Sequence, residues 1–161
     1  MAIKVGDALP QDVKLKEMKD GAPQDVTLGE LFKGKRVVVF AVPGAFTPTC
    51  SAKHLPGFMR DAQAIRAKHV DEIVCVAVND VFVMDAWGKS AGATDKVRML
   101  ADGNGEFTRA VGLELDASGF GMGKRSQRYA MVVEDGVIKQ LNVEAPGAFE
   151  VSSAESILKA L

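Results

Sequence analysis

The 161-residue sequence predicts an α/β fold in which a central mixed β-sheet is flanked by helices and preceded by an N-terminal β-hairpin. Three observations carry this. Residues 36–42 and 73–78 are apolar on both faces, as strands are at the centre of a sheet covered on both sides. A helical stretch lies between them, and strand, helix, strand implies a right-handed parallel crossover. Near the end, the β-rich runs 127–134 and 137–143 are joined by Asp135-Gly136, the strongest hairpin signal in the chain.

The elements follow in order. Val13 to Met18 alternates apolar and charged residues, Lys19-Asp20-Gly21 makes a turn, and Gln24 to Thr27 returns, which gives the hairpin. Thr27 caps a short helix over 28–32 that Gly34 closes. After the first central strand, a helix over 49–68 is interrupted near Pro56, which has no N–H for the carbonyl of Ala52. Residues 81–89 read as a second long helix, 97–101 as a short strand and 106–111 as a helix ended by Gly112. A glycine-rich loop follows. Its run Gly119-Phe120-Gly121-Met122-Gly123 is no phosphate loop, because it does not lie between a strand and a helix N-terminus. Ser152 and Glu155, three apart, read as a capping box opening a terminal helix to Leu161. The order is that of a thioredoxin-like fold.

With 47% hydrophobic and 25% charged residues, the chain has the size and composition of one domain, 1–161. A net charge of -1 and the lack of any run of five like charges argue against nucleic acid or an anionic membrane as partner. No segment approaches the ~20 apolar residues that cross a bilayer. The first residues have neither the apolar core of a secretory signal nor the Arg-rich character of a transit peptide, so a cytoplasmic location is expected and an organellar mature form stays open. Two cysteines make no disulfide framework, and in a reducing compartment such a cysteine is more often catalytic, redox-active or metal-binding.

One of the two, Cys50, follows the apolar strand in Pro43-Gly44-Ala45-Phe46-Thr47-Pro48-Thr49-Cys50-Ser51. Thr47 reads as an N-cap and Pro48 as the first helical residue, which puts Cys50 in the first turn beside unpaired N–H groups. Only the thiolate is a strong nucleophile. Holding it at neutral pH takes roughly 3 kcal/mol beyond a free thiol, and a helix terminus gives ~2 at best, so a cation should stand near the sulfur. Lys53 is close but its side chain is expected in solvent; Arg60 lies roughly 15 Å along a regular helix. Arg128 is the better candidate, since it enters a strand otherwise filled with packing residues and its planar fork can serve a thiolate and a developing oxyanion together. The Thr47 hydroxyl can cap the helix, donate to a substrate oxygen, or do both.

The segment 43–51, continued by Lys53-His54-Leu55-Pro56-Gly57-Phe58, closely resembles the active-site segment of type II peroxiredoxins, the peroxiredoxin-five-like, atypical two-cysteine group. Further matches are Val78-Asn79-Asp80-Val81-Phe82-Val83, Trp87-Gly88-Lys89, Arg128 and Val133-Glu134-Asp135-Gly136. The resemblance spans essentially the whole chain and implies a thiol-dependent peroxidase for hydrogen peroxide and alkyl hydroperoxides, with no metal or organic cofactor. It implies that Cys50 attacks the peroxide and becomes a sulfenic acid, that Thr47 hydrogen-bonds the peroxide, that Pro43 shields the sulfur from water and that Arg128 stabilises charge. It also implies glutaredoxin with glutathione, or thioredoxin, as reductant, and a homodimer.

Cys75 is the only cysteine in the chain that can condense with the sulfenic acid, and the resemblance to plant type II enzymes makes it a resolving residue; burial in a strand makes it a plain core residue instead. Both readings stay open. Phe46, Phe82, Trp87, Leu113, Leu115 and Phe120 are candidates for a pocket collar or dimer face, or for the core. Two other classes compete: a metal site built from Cys50, His54, His69 and Cys75, against which the loose spacing argues, and a thioredoxin-fold redox sensor or holdase oxidised at Cys50 without turnover.

Overall fold

In the structure, a computed structural model that describes residues 2–161, seven strands form one mixed sheet in the order β2-β1-β5-β4-β3-β8-β9. The hairpin β1 (Lys14–Lys19) and β2 (Ala22–Thr27) forms one edge. Its turn residues Asp20 and Gly21 both have positive φ, at 53° and 79°, the backbone that a tight two-residue connection requires. Pro23 is accepted in β2 because an edge strand leaves one row of N–H groups unpaired. Asp135 and Gly136, at φ 48° and 79°, make the same turn between β8 (Tyr129–Glu134) and β9 (Val137–Val143) at the other edge.

β3 (Arg36–Val42) and β4 (Glu72–Ala77) run parallel at the centre, as their unbroken apolar character requires. Their side chains alternate between two buried clusters. Phe40, Val42, Ile73 and Cys75 pack on one face beneath α2 (Leu55–Arg60), α3 (Ala62–Arg66), α4 (Val81–Ala91) and α6 (Ala154–Ala160). Val37, Val39, Val74 and Val76 pack on the other beneath α1 (Leu28–Phe32) and α5 (Glu106–Ala110). Thr27 caps α1 by accepting from the Glu30 N–H, and Asp80 caps α4 by accepting from Val83. β5 (Arg98–Ala101) pairs parallel with β4 and antiparallel with β1.

Three details depart from the sequence expectation. The helix that follows β3 breaks before Pro56: residues Cys50–His54 form a π-helical turn, in which Leu55 N–H donates to the Cys50 carbonyl five residues back. It breaks again at Asp61, so two short helices replace one long one. The glycine-rich loop holds a small antiparallel pair, β6 (Glu114–Asp116) with β7 (Lys124–Ser126), too short to show a period. The cap of α6 is Ser153, which accepts from Ser156, and not Ser152, whose hydroxyl is taken by Glu144 at 2.6 Å. Among the described residues no helix is long and apolar enough to cross a membrane.

Phe58 on α2 is fully buried and stacks on Phe40 of β3 at 4.1 Å between ring centroids, so it pins the helix after Cys50 to the sheet. Phe58→Ala is expected to lower stability by about 3–5 kcal/mol in urea unfolding followed by circular dichroism; a loss below about 1 kcal/mol would show that this stack does not hold the helix.

Candidate active site around Cys50

The chain leaves β3 at Val42 and turns through Pro43 to Phe46 before the helix begins at Pro48. This turn is tight. A Cβ on Gly44 would stand 3.1 Å from the Thr47 methyl carbon and 3.2 Å from the end of Met122, so any larger residue would push those side chains back by a few tenths of an ångström. Asn79 holds the turn from outside by accepting from the Ala45 N–H at 2.9 Å. Arg125 braces the same region by donating to the carbonyls of Met122 and Val78 at 2.9 and 2.7 Å. Neither brace is evident from the sequence.

Thr47 stands at the head of the helix, and its carbonyl accepts from the Ser51 N–H at 2.9 Å. Its hydroxyl donates to the Gly44 carbonyl at 2.7 Å and makes no capping bond, which leaves its oxygen lone pairs free of the backbone. Cys50 follows in the π-helical turn and is wholly buried. Trp87 of α4 supports this turn from behind by donating its indole N–H to the Ser51 hydroxyl at 3.0 Å.

The cation at the sulfur is Arg128, one residue before β8, which donates from Nη2 to Cys50 Sγ at 3.1 Å. Lys53 is exposed, and Arg60 is drawn off to Asp61 and Glu155. Arg128 is fixed twice more. Its Nη1 meets His54 Nδ1 at 2.8 Å, and its guanidinium carbon lies 5.8 Å from the centroid of the Phe149 ring.

His54 is the residue that sequence reasoning passed over. Its four-residue spacing from Cys50, which the sequence offers only as a metal-ligand pair, puts it on the same side of the helix, where an arginine at the sulfur needs an acceptor. His54 Nε2 faces the Ser152 carbonyl at 2.9 Å, and a carbonyl only accepts, so Nε2 carries the proton and Nδ1 offers its lone pair to Arg128. Rings of Phe40, Phe149 and Phe58 surround the imidazole at 4.9, 5.0 and 5.6 Å. Both ring nitrogens are therefore occupied, and the set Cys50, His54, His69, Cys75 does not assemble: no metal-binding group of three or more His, Cys, Asp or Glu exists among the described residues.

Cys75 lies in the middle of β4 opposite Phe40, wholly buried in the same cluster as Cys50, and both thiols are free. Burial, then the neighbouring Cys50, pushes the Cys75 thiol well up. Of the candidate collar residues, Trp87 and Leu113 are buried and offer no outer surface, Leu115 is partly buried, and Phe46, Phe82 and Phe120 are 54%, 63% and 86% exposed.

Burial, and then the charge of Arg128, pushes His54 from its ordinary 6.5 down to about 3. Between those values the unfolded chain takes up a proton that the folded chain refuses. The contribution of His54 to stability is therefore complete above pH 6.5 and is lost as pH falls toward 3. Urea midpoints are expected to fall between about pH 7 and about pH 4, and the fall should be smaller in His54→Gln, which has no proton to gain; equal falls in both proteins would show that His54 titrates normally.

A model of the family described as Redoxin matches residues 4–158. The chloroplastic peroxiredoxin-2E of Arabidopsis thaliana is 52% identical over 99% of this chain and 70% of its own length, and peroxiredoxin-2B of the same plant is 48% identical over 99% and 98%. The crystal structure of reduced Prx3 from Vibrio vulnificus in complex with hydrogen peroxide superimposes with a TM-score of 0.94 at 53% identity, over 98% of each chain. Together with the thioredoxin-like sheet and a buried thiol bonded to an arginine, these matches identify the chain as a member of the redoxin family and, within it, a peroxiredoxin, a thiol-dependent peroxidase.

Proposed function

We propose that residues 1–161 act as one domain in which Cys50 is the peroxide-reacting nucleophile and Arg128, Thr47 and Pro43 are its helpers. The bond from Arg128 Nη2 to Cys50 Sγ is the observation that carries this reading. The Cys50 thiolate attacks the terminal oxygen of hydrogen peroxide or a small alkyl hydroperoxide. An S–O bond forms as the O–O bond breaks, and the oxygen that leaves with the electron pair takes up a proton to become water or an alcohol. Cys50 is left as the sulfenic acid. Arg128 donates where negative charge grows, which is the efficient place for a donor. Thr47, with its lone pairs clear of the helix, meets the peroxide, and Pro43 keeps water from the sulfur.

Reduction is assigned to an external thiol, from glutaredoxin with glutathione or from thioredoxin, which takes the sulfenic oxygen off as water and leaves a mixed disulfide for a second thiol to cleave. The burial of Cys75 within a central strand, with its thiol pushed up, supports a core role for it in place of a resolving one. Its reaction with Cys50 would require the Cys50 turn to open, because a disulfide needs α-carbons ~4.4–6.8 Å apart in a favourable orientation. The exposed rings of Phe46, Phe82 and Phe120 support pairing into a homodimer. Two free cysteines support residence in a reducing compartment, the cytoplasm or an organelle interior.

Rapid mixing with hydrogen peroxide, followed through Trp87 fluorescence, tests the assignment. Cys50→Ser is expected to abolish the fast phase and Arg128→Ala to slow it roughly 10²–10³-fold, the usual cost of removing a donor from developing charge. Cys75→Ser should keep the fast phase and full turnover with a glutaredoxin system. A wild-type rate no better than that of a free thiol would instead favour the non-catalytic sensor or holdase, and a Cys50–Cys75 bridge in the mass spectrum after one equivalent of peroxide would restore Cys75 as the resolving residue.

A further inference from the structure

Glu144, one residue beyond the end of β9, is a buried carboxylate that the chemistry at Cys50 does not itself call for. It accepts five hydrogen bonds, all from neutral donors. Both oxygens take the Glu150 N–H at 2.9 Å, and Oε2 also takes the N–H groups of Val151 and Ser152 at 2.9 and 2.8 Å and the Ser152 hydroxyl at 2.6 Å. The residue is also tied to the arginine: its own N–H donates to the Arg128 carbonyl at 3.0 Å.

The bonds close a ring. From the Arg128 main chain the path runs to Glu144, through its carboxylate to Ser152, from the Ser152 carbonyl to His54 Nε2, from His54 Nδ1 to Arg128 Nη1, and from Nη2 of the same guanidinium to the sulfur. Ordering a loop needs no such ring. A carboxylate that only tied residues 145–152 together would do so anywhere on the surface; this one places the Phe149 ring against both Arg128 and His54 and the Ser152 carbonyl on His54. Burying a carboxylate is costly unless its lone pairs are filled, and here the donors are supplied by the segment being held.

We propose that Glu144 is a positioning residue for the reaction at Cys50: it latches the 145–152 segment so that the Ser152 carbonyl keeps His54 in the Nε2–H tautomer, and His54 in turn aims Arg128 at the sulfur. The proposal rests on the reading of Cys50 and Arg128 given above. Without the latch the carbonyl is no longer held opposite Nε2, the imidazole is free to carry its proton on Nδ1, and a protonated Nδ1 has no lone pair to offer Arg128.

The test is a double-mutant cycle on the rate of Cys50 oxidation by hydrogen peroxide, read with the nitrogen-15 signature of the His54 ring. Glu144→Ala should slow oxidation about tenfold or more, the loss of a hydrogen bond to a charged group. In an Arg128→Ala background the same change should cost less than about twofold, since the group through which it acts is gone. Glu144→Gln, whose amide oxygen can still accept where Oε2 stands, should recover most of the rate and the Nε2–H signature, which Glu144→Ala should lose. Should Glu144→Ala fail to fold, Ser152→Ala decides, because it removes only the hydroxyl donor: a loss of about twofold or more that vanishes in the Arg128→Ala background supports the latch, and a wild-type rate overturns it. An undiminished rate in Glu144→Ala, an equal loss with and without Arg128, or an unchanged His54 tautomer also overturns it. If Arg128→Ala itself keeps the wild-type rate, the reading of the site has failed and the latch falls with it; a slow Arg128→Ala beside a fast Glu144→Ala defeats the latch alone.

Discussion

A neutral imidazole placed behind a guanidinium is the constraint around which this structure is arranged. Arg128 needs an anchor that holds its orientation without cancelling its charge. A carboxylate there would hold it well, but would draw the positive charge away from Cys50. His54 takes one N–H and leaves the charge facing the sulfur. This works only while the ring stays unprotonated, and the aromatic packing from Phe40, Phe58 and Phe149 secures that by keeping water from it. The core under Cys50 therefore has a second task besides stability.

Much of this was legible in the sequence because it is local chemistry. Strands β3 and β4 are apolar on both faces, and the two Asp-Gly turns and the cap Thr27 each act within a few residues. Arg128 was legible by a different route, since the thiolate demanded a cation and the nearer candidates were poorly placed. The parts that were not legible depend on neighbours distant in the chain. Ser152 and Ser153 are equally good caps by type, and what chooses between them is Glu144, eight residues before Ser152 and just past the end of β9. His54 gains its meaning only when Ser152 and Arg128, 98 and 74 residues away, arrive on its two nitrogens. Pro56 announces a break, but the π-helical form of that break follows from which carbonyl the Leu55 N–H finds.

That break bears on access to the sulfur. Cys50 is wholly buried in the folded chain, so its folded form suits a substrate of a few atoms and not the thiol of another protein. If a protein thiol reduces Cys50, as proposed above, the first turn has to open to admit it. The local structure is suited to this: helices α2 and α3 have six and five residues, Pro56 donates no hydrogen bond, and Asp61 interrupts the run. Such short segments owe their helicity to packing against the sheet more than to their own bonds. The Phe58 and Phe40 stack retains the far end, and opening the turn at Cys50 means breaking the bonds from Trp87 to Ser51 and from Arg128 to the sulfur.

Two thiols lie in one buried cluster, and the proposed chemistry uses only one of them. Cys50 and Cys75 share the same packed face of the sheet, so exclusion of water cannot distinguish them. Polar partners can. Cys50 ends a strand-to-helix turn and accepts from Arg128, whereas Cys75 sits within a parallel ladder, flanked in register by Phe40 and Met99. Burial without a donor favours the protonated thiol, which is a poor nucleophile, and charge on Cys50 disfavours a second thiolate beside it. Arg128 pulls the Cys75 thiol the other way, but burial and the neighbouring Cys50 outweigh it, so in the proposed mechanism the guanidinium serves Cys50, to which it donates directly.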